Sequence, residues 1–364
     1  MSTTINVEDL RLNYNPERPQ KRFKAAGLEA ALVEKASDRL PSAIPWPAGK
    51  APTPSPLPQA PAETDDLTGF HGYDAVVVTW TSAEAAALAS LFTPGYPTSA
   101  WYEYRHNIAA YIPLVTGGTA PFNDKQADMA RYYHSLGLYF PCRIGTAKVL
   151  VMKSGLHLDY DGPATPVRKL MVEIASAVEP QILITTGTGG GIGQDVALGD
   201  VVIAGQTQFF CTTQFKNEPW KSAVYKTTPV PSPALAAITP ALTNVNAAKT
   251  PNARPTPKIW SAPTDTIVTT DFFGFDDSTD YYKLQGAGHR ACDMGDAMVG
   301  QAMQTQSNLK WFAIRNASDP QMPNPNHDIE AANKAAAEIY AKYGAFTTAA
   351  SVIASWAVID AIIN

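Results

Sequence analysis

The chain is poor in the residues that build disulfide frameworks and metal clusters. It has three cysteines and six histidines in 364 residues. Cys142, Cys211 and Cys292 lie far apart, which excludes a C-x-x-C redox or zinc motif and predicts reduced, partly buried thiols. The histidines show no metal-ligand spacing. We therefore expect neither a disulfide scaffold nor a metal or other cofactor.

Basic runs and long apolar stretches are also scarce. The formal net charge is -5, and no cluster of Lys and Arg would attract a phosphodiester backbone. The first residues, MSTTINVEDLRLNYNPERPQKRF, contain no apolar leader, and no uninterrupted apolar stretch is long enough to cross a bilayer. These absences disfavour nucleic acid and membranes as partners and predict a cytoplasmic protein.

Proline is concentrated in residues 41–61, PSAIPWPAGKAPTPSPLPQAP. Proline at nearly every second or third position excludes regular helix and central strand and favours an extended tether. We therefore predict that residues 1–66 are an N-terminal extension with a proline-rich tether. Residues 67–364 would then form the main domain, which is long enough to bury a sizeable core.

Apolar runs typical of buried strands alternate with helical or loop-like segments. DAVVVTW is followed by the helical SAEAAALASLF, and five later runs repeat the strand pattern: AKVLVMKSG, PQILITTG, GDVVIAG, DTIVTTDFF and LKWFAIRNASD. This alternation predicts an α/β fold with a central sheet covered by helices. Residues 205–265 predict a long insertion with one short helix near Pro233 to Leu242. Two apolar helices, about Asp328 to Lys342 and Ala345 to Ile363, would close the fold.

A glycine-rich segment, TTGTGGGIG from Thr185 to Gly193, follows one of these strands. Its closely spaced backbone N–H groups could hold an anion or a sugar oxygen. A dinucleotide fingerprint is excluded, because no triplet has G-x-G-x-x-G spacing and the following LGDVVI predicts a strand where a helix should start. A simple tight turn is the alternative.

ILITTGTGGGIG followed by LGDVVIAG resembles the strand, glycine loop and Gly-Asp strand of the nucleoside phosphorylase/nucleosidase superfamily. Four further segments occur in the order that this superfamily has them. The resemblance implies a three-layer αβα fold with a central mixed β-sheet, an enzyme acting on a nucleoside or nucleotide, and a homo-oligomer. It also implies a nucleophile side of the site that includes Thr188 and Gly189.

The segment VVVTWTSAEAAAL resembles the superfamily's opening strand and acidic turn. Glu84 falls where nucleosidases keep the carboxylate that activates water, although Thr81-x-x-Glu84 is also a capping box that starts a helix. No Arg or Lys lies between Asp74 and Tyr104, whereas phosphorylases carry an arginine in this loop to hold phosphate. Water is therefore the expected nucleophile. A phosphorylase would need a cation from elsewhere, such as Arg105, Arg131 or Arg143.

Two segments resemble the superfamily's base and sugar contacts. TTDFF places Phe273 where an aromatic ring stacks on the nucleobase, although two phenylalanines at a strand end are also ordinary core. ACDMGDA places Met294 under the sugar, but Gly295 stands where a glutamate should bind the ribose hydroxyls, and Asp296 comes one residue late. Asp293 and Asp296 could instead interact with a helix dipole. The departure at Gly295 leaves a nucleoside-binding protein without catalysis as a further alternative.

WFAIRNASD resembles the superfamily's strand that ends in Arg-x-x-Ser-Asp, here Arg315, Ser318 and Asp319. There the aspartate protonates the leaving purine base, whereas the alternative role is a simple turn cap before Pro320. The resemblance thus implies hydrolysis of the N-glycosidic bond of a purine nucleoside-like substrate. Glu84 would activate water and Asp319 would protonate the base, with substrate contacts from Arg315 and Ser318.

Overall fold

The computed structural model describes residues 44–116, 135–156, 166–212, 215–242, 254–271, 284, 288–293, 295–319 and 328–364. Thirteen strands occur within these ranges: β1 Pro52–Pro54, β2 Ala75–Thr79, β3 Tyr102–Tyr104, β4 Gly137–Ile144, β5 Ala147–Ser154, β6 Ile182–Gly191, β7 Val201–Ile203, β8 Gln206–Phe210, β9 Val224–Lys226, β10 Ile259–Trp260, β11 Thr266–Thr270, β12 His289–Asp293 and β13 Lys310–Asp319. The described α-helices are α1 Ser82–Phe92, α2 Ile108–Thr116, α3 Pro166–Val178, α4 Ser232–Leu242, α5 Asp296–Met303 and α6 Ile329–Ile363.

The strands form one mixed sheet centred on β6. β2 is parallel to both β5 and β6, and β13 is parallel to the other edge of β6, whereas β4 and β7 add antiparallel neighbours. β2 pairs with β6 only as far as Thr185, and β12 pairs with Gly190 and Gly191 further along. Because β13 occupies the opposite edge throughout, β2 and β12 share one edge of β6 and leave a gap between their ends.

Successive residues of a central strand point to opposite faces of the sheet and pack into two separate apolar layers, as expected for the predicted strands. Val76 and Val78 of β2 pack with α3 and α5, whereas Ala75 and Val77 pack with α1, α4 and α6 on the opposite face. Helices therefore cover both faces of a mixed sheet, and the predicted three-layer α/β fold is confirmed. Cys142, Cys211 and Cys292 are free and buried.

The closing helix is one element, not the two that we predicted. α6 runs without a break from Ile329 to Ile363 after an Asp328 N-cap, whose side chain accepts a hydrogen bond from Ala331 N. Gly344, the expected break, costs only about 1 kcal/mol in a helix. The hydroxyls of Thr347 and Thr348 both donate to its carbonyl, and the turn stays helical. The helix is thus long enough to pack across β6 and β13.

Part of α6, Lys342–Ile363, has the length and composition of a membrane span, although it is not an uninterrupted apolar stretch of the kind whose absence we noted in the sequence. Alanine, serine and threonine interrupt the strongly apolar residues, so the stretch is inconspicuous in the sequence. Most of this stretch is buried inside the fold. A core helix meets the same criteria, and the cytoplasmic location stays a prediction.

The predicted tether packs against the domain over its described part. β1 pairs with β4 as an edge strand, the position that proline tolerates because it lacks an N–H donor. Trp356 Nε1 donates to Lys50 O at 2.8 Å, and Lys50 forms an ion pair with Asp360 at 2.9 Å. Residues 44–54 therefore form a strap across α6, whereas residues 1–43 lie outside the described ranges. The boundary at residue 66 stays a prediction.

Residues 205–265 contain more regular structure than we expected of an insertion. α4 is present at the predicted position, but β8, β9 and β10 also lie in this segment and extend the sheet. β8 is Gln-Thr-Gln-Phe-Phe with alternate residues buried. Its polar composition conceals the period of two that marks a strand.

Candidate functional site

The candidate site lies where β2, β6 and β13 end. These strands run parallel, so their carboxyl ends meet at one edge of the sheet, the usual position of sites in α/β folds. The gap between β2 and β12 adds the turns after both strands to this edge. Trp80 and Glu84 come from the first turn, and Gly295 and Asp296 come from the second.

Glu84 caps helix α1 and also contacts strand β6. It completes a capping box: its backbone N donates to Thr81 Oγ1 at 3.2 Å, and its Oε2 accepts from Thr81 N at 2.8 Å. Oε2 also accepts from Thr79 Oγ1 at 2.9 Å and Trp80 N at 3.0 Å. Its second oxygen, Oε1, accepts from the backbone N and the hydroxyl of Thr188, at 2.6 and 2.7 Å. A helix cap needs no partner on β6, so these contacts attach the turn after β2 to the end of β6.

Gly187 lets the Glu84 carboxylate lie close to β6. A Cβ built on Gly187 would lie 2.3 Å from Glu84 Oε1 and 2.8 Å from Arg315 Nη1. Any other residue would therefore displace the carboxylate or the guanidinium. The glycine at this position is required by the packing of the site.

The glycine-rich segment is a strand, not the loop that we predicted. Thr185 to Gly191 continue β6, with Gly187 opposite Arg315 and Gly190 opposite Asp319 on β13. The backbone N–H of Thr188 donates to Glu84 Oε1 at 2.6 Å. Glycine is a poor strand former, but continuous pairing with β13 along one edge holds the segment extended. Substrate binding by Thr188 and Gly189 stays a prediction.

Arg315 binds three buried carboxylates. Its Nε and Nη2 donate to the two oxygens of Asp296 at 2.8 and 2.7 Å, and it lies 3.2 Å from Asp293 Oδ2 and 3.5 Å from Glu84 Oε1. Burial disfavours its charge, but the carboxylates outweigh this effect and raise the pKa of Arg315. Asp296 is fully buried with both oxygens on Arg315. The structure therefore does not expose Asp296 to sugar hydroxyls, and its predicted substrate contact stays a prediction.

The pKa values of two of the carboxylates around Arg315 shift in opposite directions. Burial opposes ionisation of Glu84, but Arg315 and the hydrogen bonds from Thr188 and Thr81 outweigh it and lower its pKa. Burial and the neighbouring Asp296 raise the pKa of Asp293 despite Arg315. A single guanidinium thus neutralises only part of the charge, and the cluster tends to be negative.

Asp319 lies at the end of β13, beside a register shift between Ala317 and Asp319 that leaves Ser318 as a bulge. Such bulges redirect side chains near functional sites. Ser318 Oγ donates to Asp319 Oδ1 at 2.7 Å, whereas the buried Oδ2 has no partner in the part of the chain that the structure describes. Burial raises the pKa of Asp319 to about 7, and the hydrogen bond from Ser318 only partly opposes this. The group is thus placed to hold a proton near neutral pH.

The structure brings Glu84, Thr188, Gly189, Asp296, Arg315, Ser318 and Asp319 together at this edge. Glu84 and Asp319 contact consecutive parts of one strand, β6. Phe273 and Met294, the predicted base and sugar contacts, lie outside the described residues.

Sequence reasoning gave no site role to Thr79, Trp80 or Lys153. Lys153 is buried at the end of β5 and lies opposite Thr79 in the parallel register. Trp80 packs against Arg315, whose guanidinium carbon is 4.8 Å from the indole ring centre. The signal that could have identified these residues is their position at strand ends, because functional groups collect there in α/β folds.

Comparison with known proteins places these observations in a family. The model of the phosphorylase superfamily matches residues 107–348, more than half of the chain. A 5'-methylthioadenosine/S-adenosylhomocysteine nucleosidase from Helicobacter pylori has a similar solved structure, with a TM-score of 0.51 and 12% identity over 80% of this chain and 100% of that one. An S-adenosylhomocysteine nucleosidase from Streptococcus pyogenes gives 0.50 and 15% over 80% and 99%. At these identities the likeness shows the fold alone. Curated protein sequences give no significant match.

Proposed function

The chain belongs to the phosphorylase superfamily, and on that premise we propose that it hydrolyses the N-glycosidic bond of a purine nucleoside-like substrate. The predicted class, an enzyme acting on nucleosides, follows from the family. Hydrolysis, the roles of individual residues and the substrate are our proposal. The observation that carries it is the placement of two buried acids along one strand. Glu84 accepts hydrogen bonds from Thr188 of β6, and Asp319 lies opposite Gly190 of the same strand with Oδ2 unpaired among the described residues. Their pKa values shift in opposite directions, downwards for Glu84 and upwards to about 7 for Asp319.

Asp319 is the proposed general acid. Cleavage of the C1'–N bond leaves negative charge on the base, and a proton delivered to the base lowers that barrier. A carboxyl group with an ordinary pKa would have lost its proton at pH 7. Burial of Asp319 preserves the proton, and Ser318 fixes Oδ1 so that Oδ2 is the oxygen that remains for the base.

Glu84 and its partners form the proposed nucleophile side. Positive charge develops on the sugar as the base leaves, and the negative cluster of Glu84, Asp293 and Asp296 around Arg315 stabilises it. Glu84 already accepts five short hydrogen bonds, so it takes a proton from water only when one donor turns away. The Thr188 hydroxyl is that donor in our proposal, because it rotates about χ1 more easily than a strand N–H moves.

The charge of the site favours water over phosphate. A phosphate dianion would enter a cluster in which three carboxylates surround one guanidinium, and like charges repel in a buried site. Arg105 is engaged by Glu63 and Glu103. Arg143 lies exposed on β4 opposite β1, and Arg131 lies outside the described residues. One observation favours the phosphorolytic alternative: the buried Lys153 beside Thr79 is a cation near the nucleophile side.

Product analysis tests the proposal. The protein is incubated with a panel of purine and pyrimidine nucleosides and nucleotides in H₂¹⁸O, with and without phosphate, and the base and sugar products are identified. We expect free base and a sugar labelled at C1' at the same rate in both buffers. Sugar 1-phosphate, formed only with phosphate present, would establish the phosphorolytic alternative and give Lys153 a role. Nucleoside binding without base release over long incubation would establish the non-catalytic alternative.

Substitutions connect the products to the residues. Glu84→Gln and Asp319→Asn keep the side-chain shape, and each should reduce base release by about 10²–10⁴-fold. Lys153→Met should leave hydrolysis within a few-fold of the unsubstituted protein. Undiminished turnover in either acid variant would overturn the assignment of these roles.

A further inference from the structure

Trp80 is a buried side chain at the site that the proposed mechanism does not use. It follows β2 directly, and its backbone N donates to Glu84 Oε2 at 3.0 Å. The Arg315 guanidinium packs on its ring, and the indole is only 5% exposed. The ring therefore forms a wall of the site between the glutamate turn and the turn that precedes α5.

Gly295 makes room for this ring. A Cβ built on Gly295 would lie 3.3 Å from Cζ2 and 3.4 Å from Cε2 of Trp80, and these atoms form the edge that carries Nε1. A longer side chain at position 295 would need the space that the indole fills. Trp80 and Gly295 are therefore a complementary pair, in which tryptophan on one turn requires glycine on the other.

The indole Nε1 is a buried donor with no hydrogen-bond partner among the described residues. Leaving such a donor unpaired costs about 1–3 kcal/mol, and an indole N–H can only donate. The carboxylates that surround Arg315 already accept hydrogen bonds: Asp296 from Arg315, and Asp293 from Thr269 Oγ1 at 2.6 Å and Asp296 N at 2.8 Å. A ligand oxygen that accepts a hydrogen bond would relieve this cost.

We propose that Trp80 determines specificity, and that its N–H donates to an acceptor oxygen of the substrate's sugar. This inference rests on the proposed function. A carboxylate at position 295 would accept hydrogen bonds from sugar hydroxyls, whereas the indole offers a donor and a flat apolar surface. Sites that bind a hydroxyl can reject an analogue lacking it by about 10⁴–10⁵-fold. Gly295 has no side chain that could bind a hydroxyl, and Glu84, Asp293 and Asp296 are engaged by Arg315. We therefore expect the site to accept 2'-deoxyribonucleosides as well as ribonucleosides.

The test compares kcat/KM for matched ribonucleosides and 2'-deoxyribonucleosides. The unsubstituted protein should show a ratio within about tenfold, far below the discrimination of a hydroxyl-binding site. Trp80→Phe keeps a ring and removes the donor, so kcat/KM should fall about tenfold for both sugars, the effect of one hydrogen bond. Trp80→Ala combined with Gly295→Glu should shift the ratio more than tenfold towards the ribonucleoside.

Trp311→Phe is the matched control. Trp311 Nε1 is also buried without a partner among the described residues, but its ring packs on Gly300 and Tyr225 away from the site. The control should lose some stability and keep the kinetic constants. A preference of the unsubstituted protein for ribonucleosides above 10³-fold, or equal kinetics for Trp80→Phe and Trp311→Phe, would overturn the inference.

Equilibrium binding separates this inference from the proposed function. If no nucleoside releases its base, hydrolysis is wrong, but calorimetric titration still compares the two sugars. The inference then predicts dissociation constants within about tenfold of each other and weaker binding by Trp80→Phe but not Trp311→Phe. Turnover or binding restricted to the ribonucleoside, or no binding of either, would refute it.

Discussion

Replacing Gly187 with alanine perturbs the closest contact of the site. The new Cβ would lie 2.3 Å from Glu84 Oε1, whereas ordinary contacts begin at 3.4 Å, so the carboxylate must retreat by about 1 Å. Its hydrogen bonds from Thr188, at 2.6 and 2.7 Å, would then lengthen beyond the normal range. Both bonds to a buried, charged oxygen would be lost together.

The expected loss in the free energy of unfolding follows from these two hydrogen bonds. A hydrogen bond to a charged group contributes about 1.5–3 kcal/mol, and breaking a buried ion pair costs about 3–5 kcal/mol. We expect Gly187→Ala to lower the free energy of unfolding by about 3–5 kcal/mol. The nucleophile side would also be displaced, so kcat/KM for base release should fall at least about 10²-fold, as expected for a misplacement of about 1 Å.

Chemical denaturation and steady-state base release measure these two effects. Gly69→Ala is the control, because Gly69 lies in an exposed turn with no atom within 4 Å of a Cβ built there. The control should keep its activity and change stability by less than about 1 kcal/mol. If Gly187→Ala matched the control in both measurements, our account of the close approach between β6 and Glu84 would be wrong.

Three further predictions concern individual carboxylates. Burial raises the pKa of Asp319 from 3.8 in the unfolded chain to about 7 in the folded protein. The stability that the protonated Asp319 contributes is therefore intact below about pH 4 and is lost as the pH rises to 7. Asp319→Asn should flatten the plot of unfolding free energy against pH between these values, and an unchanged slope would contradict the prediction. Thr81→Ala removes the hydroxyl that caps Glu84 N and leaves the Thr81 backbone N–H on Glu84 Oε2. It should cost about 1 kcal/mol in denaturation and preserve kcat, whereas Glu84→Gln should lower kcat; equal kinetic losses would reduce Glu84 to a cap. Asp296→Ala leaves Arg315 without its bidentate partner and should destabilise the protein by about 3–5 kcal/mol; an unchanged urea midpoint would show that the pair is not needed.

The sequence predicted the central strands. β2 is a run of Ala and Val, and β6 and β13 each contain an apolar run near the start, Ile182 to Ile184 and Trp311 to Ile314, because parallel central strands are buried on both faces. The resemblance to the superfamily, not the strand pattern, named Glu84, Arg315 and Asp319 as site residues. Their roles stay predictions.

Contacts between distant segments could not be predicted in the same way. The glycines of β6 resemble a loop by composition, and only pairing with β13 and β12 reveals a strand. Trp80 and Gly295 are more than 200 residues apart, so their complementarity appears only when the gap between β2 and β12 brings both turns together. Gly344 has the helix propensity of a break, which the packing of α6 overrides.

The most direct test of Asp319 as a general acid compares two substrates that differ in their leaving group. A purine base needs a proton to leave, whereas 4-nitrophenol leaves as a stable anion without one. We expect Asp319→Asn to lose about 10²–10⁴-fold in kcat on a purine nucleoside that the unsubstituted protein cleaves, and less than about tenfold on 4-nitrophenyl riboside. Equal losses on both substrates would contradict the account, because Asp319 would then act on something other than the departing base.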